Sequence, residues 1–192
     1  MTRIIAGTAG GRRLAVPEGR TTRPTSDRAR EALFASVLSE LGSLDGLRAL
    51  DLYAGSGAIG LEALSRGAAH ALLVESDRRA AAVIRRNIAA LGLAGAELAA
   101  DRVRRVLERG PAGGYHLVVA DPPYATPAAE IAEALGLLRD RGWLAADALV
   151  VVERAGRDPD LVWPEGYEPG RVRRYGEAAL WYGRAASLRD RA

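Results

Sequence analysis

Asp51-Leu52-Tyr53-Ala54-Gly55-Ser56-Gly57-Ala58-Ile59-Gly60 is the stretch on which the fold turns. A short apolar run, Ala49–Tyr53, predicts a strand. Gly55, Gly57 and Gly60 follow at the spacing G-x-G-x-x-G, and a helix is predicted from Ala58 to Ser65. A glycine turn between strand and helix brings backbone close to a ligand, and the helix start presents free amides. The same glycines also permit plain strand–helix packing, so spacing alone does not decide. Asp51 narrows the choice. A carboxylate at the strand end repels a pyrophosphate, and it suits a ligand that carries an ammonium group.

Outward from this stretch the pattern alternates. Ala71–Glu75, Glu97–Ala100, Tyr115–Ala120 and Ala148–Glu153 read as strands, and Arg78–Leu91, Val103–Glu108 and Ala128–Leu138 as helices. Apolar strands with little alternation belong to a parallel sheet covered on both faces. Val172–Tyr175 and Ala179–Tyr182 flank Gly176-Glu177 with no helix between, which predicts a terminal antiparallel pair. Towards the N-terminus, Ala29, Leu33, Val37 and Leu41 form one helical stripe, joined by Phe34 and Leu38, with Thr25 or Ser26 as cap. Thr2–Ala6 and Arg12–Val16 read as a hairpin turned by Gly7-Thr8-Ala9-Gly10-Gly11. The domain reading is a hairpin and extended segment over 1–22 and an α/β domain over 23–192.

Three acids fall at successive strand ends, where open parallel sheets bind ligands. Asp51 faces a cation. Glu75 can accept hydrogen bonds from two ribose hydroxyls. Asp101 either recognises an adenine amino group or caps the helix at Val103, and both readings stay open. Together they describe a nucleoside with an amino-acid tail, a description that S-adenosylmethionine fits. A second constellation, Asp121-Pro122-Pro123-Tyr124, closes the Tyr115–Ala120 strand. Adjacent prolines fix φ and remove amide donors, which leaves the Asp121 and Pro122 carbonyls as acceptors for a ligand. Tyr124 offers a flat face on which a base can stack.

Composition bounds the rest. The chain has 192 residues, enough for one domain with a small annex. It holds no cysteine and two distant histidines, His70 and His116, so no metal site built on these residues is expected. No apolar run approaches the ~20 residues of a membrane span, and no secretory signal is expected at the N-terminus. All 27 basic residues are arginine; residues 1–30 hold seven of them against two acids, while the remainder is slightly acidic. Arginine matches phosphate geometry, so this segment is a polyanion-binding candidate as well as a solvated basic end.

These residues carry a family resemblance. Arg3-Ile4-Ile5-Ala6-Gly7, Arg12, Thr22-Arg23-Pro24-Thr25, Arg30-Glu31-Ala32-Leu33-Phe34, the segment Asp51–Gly57, Leu61–Ala68, Val74-Glu75, Asn87 and Asp121–Tyr124 together resemble the class I S-adenosylmethionine-dependent methyltransferases. Within them the chain resembles the bacterial family that methylates guanine N2 in 16S ribosomal RNA. The resemblance implies a Rossmann-like, seven-stranded, mostly parallel sheet ordered 3-2-1-4-5-7-6, strand seven antiparallel, with an N-terminal β-hairpin that helps bind RNA. It implies that Asp51, Tyr53, Ala54, Gly55, Ser56 and Gly57 hold the methionine part of S-adenosylmethionine, Glu75 the ribose and Asp101 the adenine edge. Asp121, Pro122, Pro123 and Tyr124 would orient the guanine, with Asp121, Pro122 and Tyr124 serving the chemistry. Arg3, Arg12, Arg13, Arg20 and Arg23 would contact phosphates, while Arg30 is set aside as a partner for an acid of the core domain. The partner implied is 16S ribosomal RNA, alone or in an assembling 30S subunit, for a cytoplasmic monomer without metal or membrane. Rival readings are methylation of adenine N6 in DNA or of a protein glutamine, and a non-catalytic RNA-binding protein.

Overall fold

In the computed structural model, which describes residues 2–18 and 27–186, the Asp51 strand lies inside a seven-stranded sheet. The elements in chain order are β1 (Thr2–Arg3), β2 (Arg13–Leu14), α1 (Asp27–Leu41), β3 (Arg48–Leu52), α2 (Ala58–Ser65), β4 (His70–Val74), α3 (Arg78–Leu91), β5 (Ala96–Ala99), α4 (Val103–Arg109), β6 (Tyr115–Ala120), α5 (Ala128–Asp140), β7 (Leu144–Ala155), β8 (Tyr167–Tyr175) and β9 (Ala178–Ala185). The sheet runs β5-β4-β3-β6-β7-β9-β8. Strands β3 to β7 are parallel, and β9 is antiparallel to both β7 and β8. Counted along the chain from β3, this is 3-2-1-4-5-7-6 with the seventh strand reversed, a class I methyltransferase sheet.

The central strands β3, β4, β6 and β7 are buried on both faces, whereas edge strand β8 is mostly exposed, and the central strand sequences show why. Leu50 and Leu52 of β3 and Val118 of β6 pack with Leu107 of α4 and Leu135 of α5. Ala49, Leu73, Val119 and Val151 face the other way, onto Phe34 of α1, Leu61 of α2 and Ile84 of α3. Alternate residues therefore serve two separate cores, so neither face tolerates polar side chains until the strand ends.

Sequence and structure differ in several element bounds, among them strand β8, which begins at Tyr167 rather than Val172. The hairpin ladder is only two residues long on each strand, Thr2 with Leu14 and Arg3 with Arg13. Beyond it the Ile4 amide still donates to the Arg12 carbonyl and the Gly11 amide to the Ile4 carbonyl, and the amides of Ile5 and Ala6 then turn to the Glu62 carboxylate on α2, at 2.8 and 3.0 Å. Strand β7 begins at Leu144 rather than Ala148, because a register shift against β6 and a positive φ of 56° at Asp147 interrupt its pattern. Strand β3 ends at Leu52, one residue before Tyr53. The expected cap at Thr25 or Ser26 lies outside the described residues.

The N-terminal segment is not a separate layer. Ile4, Ala9 and Leu14 are buried in the same core as α1 and α2. Ser65 holds the turn between them: its hydroxyl donates to the Ala6 carbonyl and accepts from the Ala9 amide. Arg30, only 1% exposed, joins this seam by donating to the Arg3 carbonyl and to Asp27.

Candidate active site

Register lines up four carboxylates on one face of the sheet. Asp51 is paired with Leu73 on β4 and Val119 on β6, and Val119 with Val151 on β7. Side chains alternate along a strand, so two residues further on, Glu75, Asp121 and Glu153 share that face. Neighbouring strands are about 4.8 Å apart. The result is a row, Glu75–Asp51–Asp121–Glu153, across the carboxyl ends of four adjacent strands, with Asp51 set two residues deeper.

The glycine turn closes over Asp51. Tyr53, Gly55 and Gly57 all have positive φ, at 62°, 61° and 81°. A tyrosine there is an uncommon, strained conformation. It lets the chain leave β3 and enter α2 within five residues. The turn is held by backbone donors: Gly60 to Asp51 at 2.9 Å and Gly55 to Glu75 at 2.8 Å. The second Glu75 oxygen accepts from the Asp77 amide at 2.8 Å. Asn87 on α3 braces the loop from outside, donating to the Ser56 carbonyl at 2.9 Å while exchanging two hydrogen bonds with Ala15. The end of the N-terminal segment and the glycine turn thus share one buried amide.

A Cβ on Gly57 would lie 2.7 Å from the Leu73 side chain, and on Gly60 3.0 Å from it. Gly57→Ala therefore combines a left-handed backbone with a clash under the turn. Its expected result is a loss of about 1–3 kcal/mol in stability together with weaker binding of the ligand the turn holds, read by urea unfolding and calorimetry.

Electrostatically the row is crowded. Burial pushes the Asp51 carboxyl up to about 7; the Gly60 amide opposes this, and Asp121 and Glu75 add to it. Burial and then the Asp121 charge push Glu153 up to about 8, and the Tyr124 hydroxyl opposes this. A cation placed over the row favours the ionised form of each carboxyl. Asp51 is 2% exposed, so it acts on such a ligand through its field and through the turn it fixes, not from the wall of the cleft.

The proline turn sits directly across from the glycine turn. The Asp121 amide donates to the Leu52 carbonyl at 3.3 Å, tying the two strand ends together. Pro122 is buried, whereas Pro123 and Tyr124 are exposed, Tyr124 by 44%. Further along, Arg154 at the end of β7 donates to the Thr126 carbonyl at 2.9 Å and ion-pairs with Asp158 at 3.3 Å. A cleft of about 940 Å³ opens beyond the ends of β3 and β4, lined among others by Tyr53, Glu75, Ser76, Val103 and Glu130; Asp121–Tyr124 are not part of its lining. That is the size range of small-molecule and cofactor sites. Burial pushes the Tyr53 hydroxyl up to about 12, so it stays a neutral donor there.

The structure brings Asp51, Tyr53–Gly57, Glu75 and Asp121–Tyr124 together, and sets other expected residues apart. Asp101 follows β5, but its carboxylate accepts from the Arg102 amide at 2.8 Å and from Arg109. It braces its own helix, and the cleft wall at that point is Arg102 and Val103. Arg12 is turned from phosphates to protein: its guanidinium donates to the Leu91 and Ala90 carbonyls at the end of α3, where a cation meets the negative helix terminus. Arg3 is exposed and pairs with Asp27 at 3.2 Å, and Arg13 is exposed on β2. Arg20 and Arg23 lie outside the described residues. Sequence reading passed over Glu153 and Glu62. Glu153 had a signal, since Val150-Val151-Val152-Glu153 repeats the form of Leu72-Leu73-Val74-Glu75, an apolar strand ending in an acid. Glu62 had one too, as the single acid inside an apolar helix and a partner for the Arg30 that the sequence sets aside for a core-domain acid.

Comparison with known proteins agrees with this geometry. The family model described as Conserved hypothetical protein 95 matches residues 2–184. Ribosomal RNA small subunit methyltransferase D of Escherichia coli is 41% identical over 155 residues, 79% of this chain and 73% of that protein. The solved structure of yhhF from Escherichia coli matches with a TM-score of 0.81 at 36% identity, covering 97% of this chain and 99% of that one. A hypothetical protein of Thermus thermophilus matches at 0.77 and 34% identity, covering 95% and 98%. With its sheet order, its paired turns and a family match over nearly its whole length, the chain belongs to the Conserved hypothetical protein 95 family.

Proposed function

We propose that this protein transfers a methyl group from S-adenosylmethionine to the exocyclic N2 of a guanine in small-subunit ribosomal RNA. The observation that carries the reading is the juxtaposition of the two turns on adjacent strands: Leu52 and Ala120 are register partners, and the Asp121 amide bonds the Leu52 carbonyl. The donor-binding side and an amine-binding side are thereby within one small molecule's length of each other. The likeness to the Escherichia coli ribosomal RNA small subunit methyltransferase D supports the RNA substrate.

The residues present fit the donor. Each Glu75 oxygen accepts from a backbone amide. A carboxylate oxygen can accept more than one hydrogen bond, so the group these amides orient can also accept from ribose hydroxyls. The glycine turn presents backbone close to the cleft, and the acid row suits a cationic ligand. When bound, the donor supplies an electrophilic sulfonium methyl group.

The chain's own task is to make a poor nucleophile usable. The guanine amino lone pair is delocalised into the ring. Asp121 and the Pro122 carbonyl accept its two N–H bonds, favour a more tetrahedral nitrogen and stabilise the positive charge that develops on it. Tyr124 stacks on the base and fixes its plane, which is a positioning role. Asp121 is placed to take the proton once the nitrogen is methylated. Arg3, Arg12 and Arg13 are exposed hairpin arginines among the described residues, Arg12 already bonded to the end of α3, and any phosphate contribution they make should fall with added salt.

The direct test is incubation with labelled donor and either naked 16S RNA or assembled small subunits, followed by mapping of the modified nucleotide. Label on guanine N2 is the expected result; label on DNA adenine or protein glutamine, or none, rejects the reading. Tyr124→Ala should raise the acceptor KM by roughly 10- to 100-fold, the worth of one base–aromatic stack, with donor affinity unchanged.

A further inference from the structure

We propose that the β8 edge, at the catalytic end of the sheet, is a phosphate-binding surface for the RNA that delivers the acceptor base, with Arg173 on the strand and Arg157 in the loop after β7 as its contacts; the inference rests on the function proposed above and deepens it. Register places Arg173. Glu153 of β7 pairs with Leu180 of β9, and Leu180 pairs with Arg173 of β8. Register partners share a face of the sheet, so Arg173 extends the row Glu75–Asp51–Asp121–Glu153 beyond its acceptor end. It stands three strand spacings, or about 14 Å, from Asp121. Arg174 lies level with Arg154 by the same register, through Ala179.

The arginines at this edge are not alike. Arg171 and Arg184 share Glu40, at 2.7 and 3.0 Å. Arg174 donates to the Gly156 carbonyl at 2.9 Å and lies 3.9 Å from Asp160. Arg157 and Arg173 are exposed and make no hydrogen bond or ion pair among the described residues. Their charge is left for a partner outside the chain. Over the acid row a phosphodiester meets carboxylates of its own sign. RNA that brings a base to the proline turn therefore leaves across β7, β9 and β8, where these two arginines meet it. The N-terminal arginines stand on the other side, because that segment is fixed to α2 and α3, the helices packed on β3, β4 and β5. Positive charge thus flanks the acceptor turn on both sides. Charge on an edge strand also keeps it from pairing with another sheet, but that use is indifferent to sign.

The test measures binding of naked 16S RNA and of assembled small subunits across a salt series, apart from methyl transfer. Arg157→Gln/Arg173→Gln should weaken binding roughly tenfold at low salt and lower the salt slope by about two, with donor affinity unchanged. Arg141→Gln removes an exposed charge after α5 and before β7, at the other end of the sheet, and should leave the slope as it was. Arg173→Lys should keep most of the affinity. Arg173→Glu keeps the edge charged and should bind more weakly than Arg173→Gln, a loss that edge protection does not predict. In methyl transfer the double variant should raise the acceptor KM and retain kcat, the pattern of a contact made equally with substrate and transition state. A photo-crosslinker in place of Val172, which is 39% exposed beside Arg173, should join RNA. An unchanged slope on both substrates, the same loss per charge in Arg141→Gln, or crosslinks to ribosomal protein alone overturns the proposal. RNA binding with these dependences but without methyl transfer by the parent protein rejects the function and leaves the surface standing.

Discussion

Replacing Asp121 by alanine should lower turnover by roughly 10²- to 10³-fold, with donor affinity changed by only a few-fold. The carboxylate meets the amine only on the acceptor side of the row, and its contribution grows as charge develops on nitrogen. Single-turnover rates at saturating donor, set beside equilibrium donor binding, measure the two effects separately. Loss of fold is distinguishable by its sign. Asp51 and Glu153 are both raised above ordinary carboxylate values, in part by the Asp121 charge. Groups raised in this way contribute stability at low pH that is lost as pH rises through about 7 and about 8. Removing the Asp121 charge lowers both values towards normal. The variant should therefore melt no lower than the parent at pH 8 while being nearly inactive. Turnover close to the parent's, in a folded protein, removes Asp121 from the chemistry.

The legible parts of this chain are those where one residue type has one physical use. The apolar strands, the glycine turn and the twin prolines each restrict the backbone in a way that sequence shows directly, and the sheet order followed from the resemblance they carry. Side-chain partnerships were less legible. Arg12 and Arg13 are adjacent and chemically alike, yet Arg12 closes the end of α3 while Arg13 faces solvent. Nothing local separates them, because the choice is made by a helix terminus 79 residues away. Asp101 had two local readings, adenine recognition and a cap for the helix at Val103; the N-cap position is Arg102, and the Asp101 carboxylate instead accepts from the Arg102 amide and from Arg109. The N-terminal hairpin is present but shorter than expected for the same reason: past the Ile4–Arg12 bond the Ile5 and Ala6 amides go to Glu62, an acid that sequence distance hides.

That acid should be among the costliest single substitutions in the protein. Glu62 is fully buried on α2, where it accepts from the Ile5 and Ala6 amides and from Arg66 Nε at 2.8 Å, and lies 3.7 Å from Arg30 Nε. Glu62→Ala leaves two backbone donors without their acceptor, takes the Glu62 carboxylate from Arg66, and leaves the buried Arg30 guanidinium with Asp27 as its counter-charge. Breaking a buried pair from one side costs about 3–5 kcal/mol, a large share of the roughly 5–15 kcal/mol that holds a typical domain together. Urea unfolding should show a midpoint lowered accordingly, with the N-terminal segment becoming protease-sensitive before the sheet does. The consequence reaches the RNA question. Deleting residues 1–22 would strip Ile4, Ala9 and Leu14 from the core as well as removing arginines, so weakened RNA binding by the truncated chain would not identify a contact. Arg3→Ala and Arg13→Ala act on exposed side chains and separate phosphate contact from folding. A Glu62→Ala protein with an unchanged midpoint would show that the N-terminal segment is held without Glu62, by its apolar residues and its bonds to Ser65, Arg30 and Asn87.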